Sequence, residues 1–321
     1  MKKAVFEGAY NFVIRDVPKP EVGAGLILVK VRYCSICGSD VHIYKYNKVP
    51  GADPLADSFS KVMGIPIHAV IGHQISGDVV ETGEGVTCCK VGDRVALQGP
   101  GEGYAEYVLH QWAQPLPNSI TYEQAAYLEP LNVALNAVKK SRVRLGDVVV
   151  VQGAGTIGLL VLQCVRVAGA SKTIITEMSE HRLAIAKELG ADEVINVNKE
   201  DPVEQVRELT SGRGPDIVFE CSGNHEALHE LVEMLPFHGQ GVIVSAYEHT
   251  PRIDFNTVML KSLDLQGVQG MDNLFPLGVT LVESGRVNLD ALYSSIVPLE
   301  KINEAMRALL ERKEVGVLVK P

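Results

Sequence analysis

The sequence predicts an α/β chain of two unlike domains, an all-β, barrel-like region first and a doubly wound parallel sheet after it. Three observations predict it. The chain has 321 residues, and at about 150 residues per domain that is material for two. Residues 1–110 read as short strands broken by frequent turns. From Gly146 onward the texture changes to strands alternating with helices.

In the first region the strand signals fall at 5–6, 26–33 and 77–82, and Gly92-Asp93 precedes another at 94–97. Ser119, Thr121 and Glu123 form a helix-capping pattern for 121–127, and helix continues over 131–141. The second region opens with strand 148–152 and helix 156–168. Strand 173–176 and helix 180–189 follow, then strand 193–196 and helix 202–210. Strand 216–220, helix 226–234 and strands 241–245 and 264–267 complete six strands, enough for a parallel sheet wound on both faces. The tail carries helices around 273–283 and 300–312 and a last strand, 315–319. No internal repeat or low-complexity stretch interrupts this order.

Composition narrows the function classes. Apolar residues make up 46% and charged residues 21%, which suits buried cores and argues against disorder. Thirty Lys+Arg against 39 Asp+Glu leave a net charge of −9, with no basic run. Nucleic acid and anionic membrane surfaces are therefore poor partners. Six cysteines are too few for a disulfide scaffold and fit a reduced, cytoplasmic chain. Glu7 interrupts the first apolar stretch too early for a signal peptide. The 18 uncharged residues between Asp147 and Arg166 have the length of a marginal membrane span. The glycine-rich turn in their middle divides them into a buried strand and a buried helix instead, so no membrane association is expected.

That turn, Gly153-Ala-Gly155-Thr-Ile-Gly158, is G-x-G-x-x-G. Alone it is a weak signal. Its context raises it: four valines before, an apolar helix after, and an acidic residue 19 positions beyond Gly158, at the end of the next strand. Gly153 permits a tight turn, Gly155 lets backbone approach a pyrophosphate, and Gly158 allows close helix–strand packing. The amides of Thr156 and Ile157 open a helix, where unpaired N–H groups attract anions. Glu177 is the acidic residue, able to accept from both adenosine ribose hydroxyls and to repel a 2′-phosphate. With no cation in Met178-Ser179-Glu180, NAD is expected over NADP; Arg182 is the nearby cation that can lie beside the adenine.

The first region holds Cys34-Ser-Ile-Cys37-Gly38-Ser39-Asp40-Val41-His42, Gly72-His73-Gln74 and Glu129-Pro130-Leu131. No second C-x-x-C exists to complete a four-cysteine zinc site. With G-D-R-V at 92–95, G-Y-A-E-Y-V at 103–108 and the glycine motif, the chain resembles the medium-chain dehydrogenase/reductase family. Its zinc-dependent polyol and diol dehydrogenase branch (sorbitol and butanediol types) is the most similar part. The resemblance covers essentially the whole chain. It implies a GroES-like β-barrel catalytic domain over 1–144, completed by 286–321, and a Rossmann NAD-binding domain over 145–285. Cys37, His73 and Glu129 match the three positions that hold catalytic zinc, which leaves a fourth position open. Ser39 and His42 match the relay that carries the alcohol's proton to solvent, and Cys34 is a buried non-ligand. Val244–Tyr247 and Val268–Gly270 match segments that line the nicotinamide.

The resemblance thus implies a zinc- and NAD-dependent oxidoreductase interconverting a secondary alcohol and a ketone, with a polyol, diol or sugar-like substrate. It also implies a homo-oligomer, dimer or tetramer. Four departures qualify it. Gln74 stands where Glu is usual, and an amide is a weaker, neutral ligand. The four-cysteine lobe is absent, so one catalytic zinc per chain and no structural zinc are expected. Asn136 replaces a frequent histidine. Gly270-Met271 stands where sorbitol dehydrogenases carry Arg-Tyr, while the stretch from Lys45 to Gly64 resembles a butanediol-type insertion and is expected as a loop. Three alternatives stay open: amino-alcohol oxidation of the L-threonine 3-dehydrogenase kind, a zinc-free reductase of the same family, and a non-catalytic NAD-binding protein.

Overall fold

The structure is a computed structural model, and it describes residues 1–46, 54–99, 101–270 and 272–321. The chain forms two compact units. The first comprises Met1–Glu129, Phe275–Glu283 and Leu292–Pro321; the second comprises Pro130–Leu274 and Ser284–Ala291. The helix Leu128–Lys140 starts in the first unit and continues in the second, and the helix Phe275–Glu283 belongs with the first.

In the first unit a seven-stranded sheet is organised around one long strand, Ile27–Ser35. Its inward residues Ile27, Val29, Val31 and Cys34 are nearly inaccessible and join a core with Phe6, Phe12, Tyr44 and Tyr104. One edge pairs antiparallel with Gln74–Thr82 along its whole length. The other edge is shared: Tyr107–His110 pairs with residues 27–30, and Val317–Lys320 pairs with 34 and 35. A separate hairpin joins Lys2–Gly8 to Asn11–Asp16. The register Ser35↔Gln74 has a functional consequence, because Cys37 follows one strand and His73 precedes the other. Both residues therefore leave the ladder at the same end.

Within the stretch expected as a loop, residues 47–53 lie outside the described ones, as does Met271. Beyond them the expectation fails, since Pro54–Met63 is a helix. Leu55 and Ala56, each about one helical turn before Phe59, pack with it on the core, and this apolar stripe outweighs the polar residues between them. Gly38–Lys45 is a further helix that the sequence patterning did not show.

The second unit is a six-stranded, all-parallel sheet. In spatial order its strands are Glu193–Asn196, Lys172–Glu177, Val148–Gln152, Ile217–Glu220, Gln240–Ile243 and Asp264–Gly267. The order reverses between Val148–Gln152 and Ile217–Glu220, and ligands of such sheets bind outside the carboxyl ends at that switch. Thr176, Gln152, Glu220, Ile243 and Gly267 form one row across those ends. The 18-residue apolar run is the central strand and the helix Thr156–Ala168, with residues 158–165 buried. Among the described residues no helix is long and apolar enough to cross a membrane.

The C-terminal strand supports the strand that leads to Cys37, through Leu318↔Ser35 and the Ile36 amide on the Val317 carbonyl at 3.0 Å. Leu318 is fully buried. Leu318→Ala is expected to lower the unfolding free energy by about 2–5 kcal/mol, read by urea titration.

Candidate active site

The metal-side candidates come from three chain segments. Cys37 is the N-cap of helix Gly38–Lys45 in extended backbone, and the Asp40 carboxylate accepts from its amide at 3.1 Å. The other Asp40 oxygen accepts from the Gly72 amide at 3.0 Å, and the Tyr104 hydroxyl donates to the first at 2.6 Å. One fully buried carboxylate thus joins the turn bearing Cys37 to the residue preceding His73. Burial pushes its pKa up against these donors. Asp40 stood within the sequence motif, but no role was legible for it there.

Cys37, His73 and Glu129 are brought together. His73 Nε2 lies 3.8 Å from Glu129 Oε2, and Cys37 is near enough for its charge to act on the His73 imidazole. His73 Nδ1 is 2.7 Å from the Val70 carbonyl, which fixes Nδ1 as the donor and turns Nε2 toward Glu129. Burial lowers the imidazolium's pKa, but Cys37, Glu129 and Asp40 together outweigh it and hold the group well above its ordinary range. Glu129 lies in the first turn of its helix, which begins three residues earlier than the sequence suggested. The Thr121 cap pairs with Gln124 rather than Glu123, and Ser76 Oγ donates to the Tyr122 carbonyl at 2.6 Å, docking this segment on Gln74–Thr82.

Among the described residues no group of three or more His, Cys, Asp or Glu side chains stands in metal-holding geometry. The donor set nevertheless fits zinc in kind, a thiol, an imidazole with a fixed tautomer and a carboxylate, all at one end of the ladder. Gln74 is buried and donates through Nε2 to Glu129 Oε2 at 2.9 Å. Its amide therefore holds Glu129 and is not turned as an oxygen ligand. Ser39 is half-buried in the first turn after Cys37. His42, one turn on, is 8% exposed with its ring 4.6 Å from that of Tyr46, so it is not a surface histidine. Cys34 is fully buried, and its thiol is pushed up by burial.

In the second unit the glycine-rich turn has the expected shape, with one change of reason. Gly153 has φ +91°, which a side chain would strain. At Gly155, the N-cap of Thr156–Ala168, a Cβ would meet only an Arg182 nitrogen at 4.0 Å, so the backbone is open to approach. A Cβ on Gly158 would lie 1.8 Å from the Gly153 carbonyl oxygen. Gly158 thus lets the helix close on its own loop rather than on the strand. No side chain caps this helix, which leaves the amides of Thr156 and Ile157 free of a side-chain cap. Glu177, 8% exposed, accepts from Ala154 N at 3.0 Å, Met178 N at 2.8 Å and Ser179 N at 3.1 Å. It ties the glycine turn to the next strand, a task the sequence did not reveal. Val268 follows the last strand, its amide 2.9 Å from the Ile243 carbonyl.

Two of the departures also resolve. Asn132 donates to the Gly270 carbonyl at 3.0 Å and accepts from Leu274 N at 2.7 Å, and Asn136 donates to the Asp272 carbonyl at 3.0 Å. A Cβ on Gly270 would fall 2.7 Å from Val133 Cγ2, so a side chain there would force Val133 to shift.

Family models agree with this architecture. One described as an alcohol dehydrogenase GroES-like domain matches residues 23–118, and one described as a zinc-binding dehydrogenase matches 156–284. (R,R)-Butanediol dehydrogenase of Bacillus subtilis is 33% identical over 353 residues, covering 100% of both chains. The chain belongs to the zinc-dependent medium-chain dehydrogenase/reductase family, in its polyol and diol branch. Sorbitol dehydrogenase of Gallus gallus is 30% identical, covering 98% of this chain and 95% of the relative. The crystal structure of the Bacillus subtilis 2R,3R-butanediol dehydrogenase superposes with a TM-score of 0.86 at 32% identity, covering 100% and 99%. A protein described as a zinc-binding dehydrogenase from Sinorhizobium meliloti 1021, bound to NADP, gives 0.85 at 26%, covering 100% and 99%. This dehydrogenase is accordingly a zinc-dependent, nicotinamide-linked oxidoreductase acting on CH–OH groups.

Two outcomes follow from the packing. Asp40→Ala leaves three donors without their acceptor and is expected to cost about 3 kcal/mol or more in urea unfolding. Gly158→Ala is expected to cost about 1–3 kcal/mol, whereas Gly155→Ala is expected to stay within about 0.5 kcal/mol of the parent.

Proposed function

We propose that this dehydrogenase oxidises a small diol or polyol at a secondary alcohol with NAD, reversibly to the ketone. The observation that carries the reading is the gathering of Cys37, His73 and Glu129 from three separated segments. In this proposal these three residues hold one zinc ion per chain, with no structural zinc. When bound, zinc supplies Lewis-acid chemistry that lowers the pKa of an alcohol. Ser39 and His42 carry the released proton outward, since they follow Cys37 on one helix a turn apart. Gln74 steadies Glu129. In the other unit Gly153, Gly155, Thr156, Ile157 and Gly158 hold the pyrophosphate, Glu177 the ribose, Arg182 the adenine side and Val268 the nicotinamide side. The functional division is 1–144 with 286–321 for catalysis and 145–285 for cofactor.

NAD is favoured because Glu177 faces the glycine turn and would repel a 2′-phosphate. A diol is favoured over sorbitol by Gly270-Met271, which stands where sorbitol dehydrogenases carry Arg-Tyr. A homo-oligomer is supported by Phe255, Met259 and Leu260, which are 69%, 64% and 65% exposed on a short helix, and by the place of Asp264–Gly267 at the edge of its sheet among the described residues. Six free thiols suit a cytoplasmic, reducing compartment.

The test is NADH formation over a panel of diols, polyols and amino alcohols, with metal analysis of the same preparation. Activity on a diol, at least tenfold better with NAD than NADP and lost on chelation, is the expected result. Glu129→Ala should lose both bound zinc and most activity. Full metal content and full rate in that variant would defeat the ligand assignment. Chelator-resistant reduction of an activated double bond would point to the zinc-free alternative.

A further inference from the structure

The sequence motifs leave out Glu220, the last residue of the strand Ile217–Glu220 at the switch point of the parallel sheet. Its side chain is fully buried, and five donors converge on it. Oε1 accepts from Ser222 N at 2.7 Å, Ser222 Oγ at 2.6 Å and Gly223 N at 3.0 Å. Oε2 accepts from the Tyr247 hydroxyl at 2.6 Å and from Ser245 Oγ. Its backbone carbonyl receives the amides of Val244 at 3.0 Å and Ser245 at 3.3 Å. One residue therefore ties the turn after its own strand to the loop after the next.

These two loops are pressed together and against the glycine turn. Gly223, at φ +68°, would place a Cβ 2.7 Å from the Ala246 carbonyl oxygen. A Cβ on Gly153 would come within 3.0 Å of Ser222 Cα and Cβ. So the turn that Glu220 holds is the surface against which Gly153 makes its own turn. A carboxylate suits this junction, since every one of the five groups that face it can donate.

We infer that Glu220 is a positioning residue for the nicotinamide half of the cofactor: it fixes the loops 221–223 and 244–247 as one wall beside the glycine turn. The inference rests on the NAD reading above and extends it to a residue that touches no cofactor itself. The adenosine half is held elsewhere in that reading, at Glu177 and Arg182, so the two halves of the dinucleotide should respond differently to a change at Glu220.

The experiment titrates intact protein with NADH and, separately, with ADP-ribose, which lacks the nicotinamide. The variants are Glu220→Gln, which keeps size and one acceptor, and Tyr247→Phe, which removes one donor and stays foldable if the first does not. Each is expected to weaken NADH binding about tenfold and to change ADP-ribose binding less than twofold. The double variant should lose less than the product of the two, because both act through one carboxylate. Unchanged NADH affinity in both single variants would overturn the inference. So would parallel loss of both ligands, the mark of a merely structural role. A wild-type chain that binds neither ligand would overturn the NAD reading first, and the inference with it.

Discussion

A carboxylate withdrawn from water must be given hydrogen-bond donors, because burying it bare costs several kcal/mol. Among the described residues this chain meets that demand three times, and each time the donors are the loops that matter. Asp40 takes the amides of Cys37 and Gly72, Glu177 those of Ala154, Met178 and Ser179, and Glu220 those of Ser222 and Gly223. Loops rich in Gly and Ser have little apolar surface with which to fix themselves. A charge-assisted hydrogen bond, worth about 1.5–3 kcal/mol, fixes them instead.

The three carboxylates differ in what meets them. Asp40 is fully buried, and the Tyr104 hydroxyl donates to the same oxygen as the Cys37 amide. Glu220 is fully buried as well, under Ser245 and Tyr247. Glu177 Oε2 accepts from Ala154 N at the glycine turn, and in the proposed reading the same carboxylate also takes a ribose hydroxyl. Loop support and cofactor selection then rest on one side chain, so its loss would be felt in both.

Much of the parallel sheet was legible in advance, because buried strands and amphipathic helices differ in period and the glycine turn punctuates them. Strands Val148–Gln152, Glu193–Asn196 and Asp264–Gly267 lie where the patterning put them. The barrel-like region was harder. Short strands such as Asn11–Asp16 and Ser295–Pro298 carry too few residues for a period to show. The helix Pro54–Met63 was hidden because its apolar stripe is decided by the core it meets. Asn136 looked like an unexplained departure until its amide was seen to donate to the Asp272 carbonyl, beside the Asn132 amide that holds 270 and 274.

The sequence by itself determined the family, the two kinds of domain, and which residue types could serve as ligands and as a cofactor cradle. These depend on local spacing, which the chain carries whether folded or not. Only the tertiary structure decided how the candidates meet: the register Ser35↔Gln74 that delivers Cys37 and His73 to one end, the turn of Gln74 toward Glu129, and the convergence on Glu220. Those contacts join residues far apart in the chain. They exist because buried charges and amides must find partners, and no local pattern records which partner is found.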